Sequence, residues 1–234
     1  MPLADISPNY ELVQEGGRVS VSASLGYRYN LATAVRLSGT DSMTLVSGVQ
    51  SVALAATDEM RLSYAAFLDG QAPTPTVAVD FVRAGTAHRS TVTIPAAFTI
   101  TSPTGPANLT LSAGQLLVEV STLASELLVT RADGSCVRTD DSRFDVHGIS
   151  AAAGLVGAVP AGSSYRVDAP TLDANLGYVS TAGGSVTAAK VASCDLTVTW
   201  RRETRGTAAA TMHPFGHILG VTLQRMSLHY DAMS

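Results

Sequence analysis

Two histidines four positions apart, His213 and His217, form the closest pair of imidazoles in the chain, within the segment MHPFGH at 212–217. Imidazoles at this spacing can share a zinc ion if the segment is helical. The proline and the glycine between them predict a loop instead, and the nearest acidic residue, Glu203, lies ten positions before His213. A metal-dependent enzyme that uses both histidines is therefore one alternative. The simpler interpretation is a loop in which Phe215 anchors into the core and both histidines face water.

Four carboxylates lie within 13 residues, at Asp133, Asp140, Asp141 and Asp145. Carboxylate oxygens are ligands that Ca²⁺ prefers, and exported sandwich modules sometimes hold this ion at their loop tips. The spacing of an EF-hand is missing, however, and two arginines lie among the acids, where they can form ordinary surface pairs. The segment therefore predicts either a calcium site or a solvated hairpin loop, and we expect no other cofactor.

A third candidate is the segment Tyr27-Arg28-Tyr29-Asn30, which interrupts an alternating pattern directly after Gly26. The interruption predicts a loop. Tyrosine gives a large contact area at a low cost in side-chain entropy, so a tip of this composition suits recognition of a carbohydrate or a protein. The alternative is that both tyrosines pack on the end of a sandwich.

The sequence lacks the other common patterns of catalysis and cofactor binding. It contains no GxGxxG, no Walker-type glycine loop and no GxSxG, and any choice of a Ser–His–Asp set is arbitrary because serines are abundant and histidines scattered. The net charge is −4 and the pI about 5.7, which predicts no basic surface for nucleic acid. We therefore expect a protein that is not an enzyme.

The elements that position these residues are predicted to be strands. The chain has 234 residues, of which 46% are hydrophobic and only 15% charged, which excludes a disordered chain and a long coiled coil. From Arg18 to Leu25 apolar residues alternate with serines, which indicates a half-buried strand. Further strand candidates follow at intervals of about 8–12 residues, as in antiparallel sandwiches and barrels. The sequence predicts an all-β protein without long helices.

Pro103-Thr104-Gly105-Pro106 marks the expected domain boundary, because two prolines and a glycine interrupt strand pairing. We expect one sandwich in residues 1–102 and a second in residues 103–234. The side chains expected in the first core are Val19, Val21, Leu62, Tyr64, Val77, Val79, Phe81, Val92 and Ile94. Two segments are less regular: residues 149–159 are expected to form a short helix or an apolar loop, and Gly183-Gly184 a hairpin tip.

The chain has two cysteines, Cys136 and Cys194. In the segment CDLTVTW at 194–200, Cys194 and Trp200 fall on the same, apolar face of a predicted strand. An inward-facing cysteine beside a tryptophan favours a disulfide between the two sheets of a sandwich, and the alternative is two buried free thiols. A disulfide in turn favours an oxidising compartment and hence an exported protein.

These features resemble tandem immunoglobulin-like domains of exported, lipoprotein-like bacterial proteins. The resemblance rests on the spacing from Cys194 to Trp200, on the strand Leu196-Thr197-Val198-Thr199-Trp200, and on Phe98-Thr99-Ile100-Thr101-Ser102-Pro103, which is similar to the edge strand and proline linker between such domains. It implies two antiparallel immunoglobulin-like β-sandwiches in tandem, and it implies no activity.

Together these observations predict a non-enzymatic binding or structural module of the bacterial cell envelope, in the periplasm or on the cell surface, with an unknown protein or carbohydrate partner. An assembly subunit, such as a virion or surface-layer component, is an alternative. The sequence contains no run of 18 apolar residues, so it predicts no transmembrane helix. The first residues lack the pattern of a signal peptide, so we expect either a chain whose export signal or lipid anchor has been removed, or an unexported protein.

Overall fold

The structure is a computed structural model that describes residues 1–121, 128–181 and 189–234. The described residues form eighteen strands, one α-helix and a short 3-10 turn at Leu3–Asp5. The expected all-β class is therefore confirmed. The hairpin tip predicted at Gly183-Gly184 lies outside the described residues.

The strands between residues 6 and 93 are β1 (Ile6–Glu15), β2 (Arg18–Tyr27), β3 (Asn30–Ala34), β4 (Ser42–Ser47), β5 (Gln50–Ala53), β6 (Ala55–Ala56), β7 (Ser63–Leu68), β8 (Thr76–Arg83) and β9 (Thr86–Thr93). Then come β10 (Ile100–Ser102), β11 (Ala107–Thr110), β12 (Gln115–Val120), β13 (Val129–Arg138), β14 (Arg143–Ser150), β15 (Ala153–Val159), β16 (Gly162–Asp168) and the helix α1 (Ala169–Thr181). The last two strands are β17 (Val191–Arg205) and β18 (His217–Asp231).

The chain divides into two compact units, and each unit consists of two segments that are separate in the sequence. Unit 1 comprises Met1–Ala97 and Glu203–Leu223, and unit 2 comprises Phe98–Arg202 and Gln224–Ser234. The linear division into 1–102 and 103–234 differs from this, because residues 203–223 return to unit 1. The physical reason is strand pairing: the first part of β18 lies parallel to β1 and completes its sheet.

Unit 1 has two sheets whose apolar faces share one core. One sheet has the order β18–β1–β2–β7–β6, with β3 beside β2, and the other has the order β5–β4–β8–β9. The strand β2 alternates between buried apolar residues and more exposed serines. All the residues expected in the first core belong to this cluster except Leu62, which is only partly buried, and Ala209, Met212 and Ile218 add to it from the returning segment.

Unit 2 also has two sheets around a core of its own. Their strand orders are β14–β13–β17–β18, with β11 beside β18, and β10–β12–β16–β15. Most pairs are antiparallel as predicted, but β11, like β1, lies parallel to β18. Trp200 is fully buried in this core, and its ring meets that of Tyr165 edge-on, with the centroids 5.4 Å apart.

Cys136 and Cys194 form the expected disulfide, with their Cα atoms 4.0 Å apart. They are direct partners in the antiparallel pair of β13 and β17. The bond therefore joins neighbouring strands of one sheet, and the expectation that it would join two sheets is wrong. Both residues are buried in the core of unit 2, and the alternative of two free thiols is excluded.

The helix α1 follows β16 directly, in a segment whose residue pattern predicted no helix. Its start is capped by Asp168, whose carboxylate accepts hydrogen bonds from the backbone N–H and the hydroxyl of Thr171. At its end the guanidinium of Arg138 donates to the hydroxyl and the carbonyl oxygen of Ser180, at 2.7 and 3.1 Å. A cation at this position interacts favourably with the helix dipole. Within the described ranges no helix is long and apolar enough to cross a membrane.

Residues 149–150 and 153–159 lie in strands, with a two-residue connection at 151–152, so the expected short helix or apolar loop over 149–159 is wrong. The segment contains the end of β14 and all of β15, which pairs antiparallel with β16 and places Leu155 opposite Tyr165. Alanine favours a helix, but Gly154 and Gly157 disfavour one. Pairing with β16 gives the backbone its hydrogen bonds in the extended form.

Candidate functional site

Residues Tyr27–Asn30 close the hairpin between β2 and β3. Tyr27 is the last residue of β2 and Asn30 the first of β3, and the two are register partners. Arg28 and Tyr29 form the two-residue turn between them. This is the loop position that the sequence predicts, and it carries both residues beyond the ends of the paired strands.

Tyr29 is the exposed side chain of this tip, at 66% exposure. The guanidinium carbon of Arg28 lies 4.1 Å from the centroid of its ring, and the ring of Tyr27 meets it edge-on at 5.4 Å. Tyr27 packs against the core of unit 1. The two tyrosines therefore differ: Tyr27 packs on the sandwich, as the alternative interpretation expected, and Tyr29 faces solvent.

Arg28 is held in place by Asp5, at the end of the 3-10 turn. Its Nε lies 2.7 Å from Oδ1 of Asp5, and its backbone N–H donates to the carbonyl oxygen of Asp5 at 3.0 Å. The side chains of the pair are 33% and 16% exposed, so the ion pair is partly shielded from water. The backbone hydrogen bond and the ion pair together restrict the position of the cation beside Tyr29.

His213 and His217 lie in the loop before β18 and at the first residue of that strand. The ring of His213 is 5.1 Å from the ring of Phe215, and its Nδ1 accepts a hydrogen bond from the Phe215 backbone N–H at 3.4 Å. His217 is exposed and pairs with Asn9 of β1. Phe215 is 84% exposed, so the expectation that it anchors in the core is wrong, and Met212 is the buried residue of this segment.

The four carboxylates considered for calcium are spread along the hairpin of β13 and β14. Asp140 and Asp141 occupy its turn, whereas Asp133 and Asp145 lie within its strands. Asp133 lies five positions before the end of β13, about 16 Å from the turn at roughly 3.3 Å per residue, and its carboxylate accepts a hydrogen bond from the Gly148 N–H at 2.8 Å. Among the described residues, no three His, Cys, Asp or Glu side chains are grouped to hold a metal ion.

An exposed His–carboxylate pair that sequence reasoning missed lies on unit 2. Nδ1 of His229, in β18, is 2.7 Å from Oδ1 of Asp195, in β17, and the two side chains are 48% and 82% exposed. Both occupy outward positions of strands whose alternate residues are buried, such as Cys194 and Tyr230, and the period of two could have placed them on one face. Because both side chains are largely exposed to water, we expect this contact to contribute little to stability.

A groove of about 640 Å³ lies within unit 1, on β2, β5, β6 and β7. It is lined largely by alanine and valine, with Phe67 and Arg18 beside them. The guanidinium carbon of Arg18 lies 4.4 Å from the centroid of the Phe67 ring, and its Nε is 2.7 Å from Asp69. The lining residues include no histidine and no carboxylate, so the groove offers no acid–base pair for catalysis.

No protein-family profile and no curated protein matches the chain. Among solved structures, it aligns with a chimeric titin Z1Z2–Z1Z2 tandem functionalised with a GRGDS peptide from fibronectin, at 12% identity and a TM-score of 0.23, over 97% of this chain and 100% of the other. A chimeric titin Z1Z2 functionalised with a KLER peptide from decorin aligns at 8% identity and a TM-score of 0.24, over 99% of each chain. Similarity at these TM-scores does not establish a shared fold, and the all-β class rests on the strands of the chain itself.

Proposed function

We propose that the chain is a non-enzymatic binding module of the bacterial cell envelope that recognises a saccharide through the tip of the β2–β3 hairpin. The observation that carries the proposal is the exposed ring of Tyr29, which contacts the guanidinium of Arg28, itself ion-paired with Asp5. A rigid scaffold with a binding loop at its end is a common arrangement in binding proteins.

The chemistry of the tip suits a sugar better than a large protein surface. A sugar ring presents C–H groups on its face and hydroxyls at its edge, and Tyr29 offers an aromatic face beside the charged Arg28 and the polar Asn30. A stable protein–protein interface buries about 1,200–2,000 Å² and has several anchors. A two-residue turn with one highly exposed tyrosine matches the smaller ligand.

Pre-organisation supports the same proposal. A loop that orders on binding loses conformational freedom, and this cost reduces affinity. At this tip Tyr27 is packed on the core and Arg28 is bound through both its backbone and its side chain. The exposed ring therefore needs little ordering before it contacts a ligand.

The disulfide supports the proposed compartment. Buried disulfides form and persist in oxidising surroundings such as the bacterial periplasm and the cell surface. Cys136 and Cys194 are bonded to each other and lie in the core of unit 2. We therefore propose that the protein acts after export, in the periplasm or on the cell surface.

The test is a glycan array probed with the full chain and with two variants. We expect the chain to bind a subset of saccharides, and Tyr29→Ala to weaken binding about tenfold, which corresponds to about 1.4 kcal/mol. Tyr178→Ala is the matched control, because Tyr178 is 78% exposed but lies on α1 in unit 2. It should bind as the unchanged chain does. Failure of the unchanged chain to bind any saccharide, or full binding by Tyr29→Ala, would contradict the proposal.

A further inference from the structure

A cavity of about 420 Å³ lies within unit 2, beside α1 and next to the ends of β11 and β18 and the start of β17. A volume in this range suits a small molecule. Two residues of opposite charge line the cavity, Asp173 of α1 and Lys190, directly before β17. The apolar part of the lining consists of Leu111, Val191, Ala232 and Met233.

Asp173 is held at this cavity by a buried tyrosine. The hydroxyl of Tyr230 donates to Oδ1 of Asp173 at 2.9 Å, and Tyr230 is fully buried in the core of unit 2. Burial, and then the bond to Asp173, raise the pKa of Tyr230, so its hydroxyl keeps the proton that it donates. The bond restricts the carboxylate, and Oδ2 accepts no hydrogen bond from any described residue.

The helix leaves open space beside this carboxylate. Gly177 lines the same cavity and lies four residues after Asp173, so the two share one face of α1. Beyond the helix backbone itself, no described atom lies within 4 Å of the position that a Cβ would take at Gly177. Glycine within a helix costs about 1 kcal/mol relative to alanine. The residue at this position therefore keeps the cavity open at a cost in helix stability.

Lys190 brings the opposite charge and is the only lysine of the chain. Its backbone carbonyl oxygen accepts a hydrogen bond from the N–H of Thr139 at 2.9 Å, and its side chain is exposed. Neither Lys190 nor Asp173 forms an ion pair with a described residue. The cavity therefore presents one positive and one negative group that no described charge neutralises.

We infer that this cavity binds a small zwitterion with an aliphatic body, namely a free amino acid with an apolar side chain such as leucine. The ammonium of the ligand meets Oδ2 of Asp173, and its carboxylate meets the ammonium of Lys190. The ligand's side chain lies against Leu111, Val191 and Met233. An apolar ligand leaves both protein charges without a partner, and an ion of one sign attracts one of them and repels the other. A zwitterion complements both.

The inferred site lies in unit 2, whereas the proposed saccharide site lies in unit 1. It extends the proposed function to a second ligand of a different chemical class. Failure of saccharide binding therefore leaves the amino-acid site standing, and failure of amino-acid binding leaves the saccharide site standing.

The first test is calorimetric titration of the unchanged chain with L-leucine and two analogues that each lack one charge. Isoamylamine lacks the carboxylate, and 4-methylpentanoate lacks the ammonium. We expect leucine to bind at least about tenfold more tightly than either analogue, because only leucine complements both charges. Glycine, which lacks the apolar side chain, should also bind more weakly. No binding of leucine, or binding of either analogue as tight as that of leucine, would overturn the inference.

The second test places the ligand at the cavity with three variants. Asp173→Asn keeps an acceptor for Tyr230 but removes the charge, and Gly177→Leu fills the open space; each should weaken leucine binding about tenfold or more. Asp145→Asn is the matched control, because Asp145 is an exposed carboxylate of β14 in unit 2, and it should bind leucine as the unchanged chain does.

Thermal melts followed by circular dichroism identify any variant that does not fold, and the comparison of analogues needs no variant. Full binding of leucine by folded Asp173→Asn or Gly177→Leu contradicts the assignment to this cavity. Equal weakening by Asp145→Asn contradicts it as well, because that change removes a charge of unit 2 outside the cavity.

Discussion

Asp168 determines where α1 begins. It ends β16, and its carboxylate accepts hydrogen bonds from the N–H and the hydroxyl of Thr171. These bonds favour the charged carboxylate, so they hold the pKa of Asp168 below its ordinary value. The side chain therefore links the end of a strand to the start of the only α-helix that the described residues form.

Replacing Asp168 by alanine should lower the melting temperature of unit 2 at pH 7. A lowered folded-state pKa means that the carboxylate stabilises the fold fully above its unfolded pKa, about 3.9, and that this contribution is lost as the pH falls through the folded pKa. The difference in melting temperature between the variant and the unchanged chain should therefore shrink below about pH 4. Thermal melts followed by circular dichroism between pH 2 and pH 7 measure this difference in melting temperature.

Asp145→Ala is the control for this prediction, because Asp145 is an exposed carboxylate in β14. It should change the melting temperature little at any pH. A difference for Asp168→Ala that does not vary with pH, or that Asp145→Ala reproduces, would contradict the role assigned to the cap.

Among the elements, β13 and β17 are the two strands that a disulfide joins. Cys136 and Cys194 are directly opposite each other in this pair and lie in the core of unit 2. The bond closes a loop with a sequence separation of 58 residues. Because the linked strands belong to one sheet, no disulfide joins the two sheets of unit 2, and they are held together by packing.

Reduction of this disulfide should destabilise unit 2 and leave unit 1 nearly unchanged. A chain-entropy estimate for a loop of this length gives about 4 kcal/mol. Hydrogen exchange of peptides from each unit, with and without reductant, measures the two effects separately. Equal loss of protection in both units, or no loss in unit 2, would contradict the assignment of the bond to the core of unit 2 alone.

The elements differ in how far the sequence could predict them. β2 and β17 alternate with a period of two and were predicted from it. The segment around β15 is rich in alanine and glycine, whose propensities favour neither state strongly enough, and its extended form depends on pairing with β16. The start of α1 has a readable signal, Asp168 followed by Pro170 and Thr171, but small residues and Gly177 weaken its helical pattern.

For the whole molecule, the first core could be predicted but the path of the chain could not. Alternation and turn residues are local signals, and they predicted the apolar residues of β2, β8 and β9. The pairing of Asn9 with His217 joins residues from opposite ends of the chain. Such a contact depends on tertiary packing and produces no periodic pattern of residues in the sequence. The return of residues 203–223 to unit 1 was therefore not predicted.

The same limit applies to the candidate sites. The tip at Tyr27–Asn30 was predicted because the alternation of β2 stops there. The pair of Asp195 and His229 was missed because it joins two strands whose adjacency is not encoded locally. The exposure of Phe215 was also missed, since aromatic side chains are usually buried, and the nearby Met212 takes the buried position.

An NMR titration of the full, ¹⁵N-labelled chain with the saccharide that binds best on the array tests the proposed binding site at Tyr29 directly. We expect shift changes at Asp5 and at residues 27–30, with the largest changes around Tyr29, because this ring is the proposed contact. Shift changes centred on residues 213–217 or on the face of unit 2 that carries His229, or no changes at saturating ligand, would contradict it.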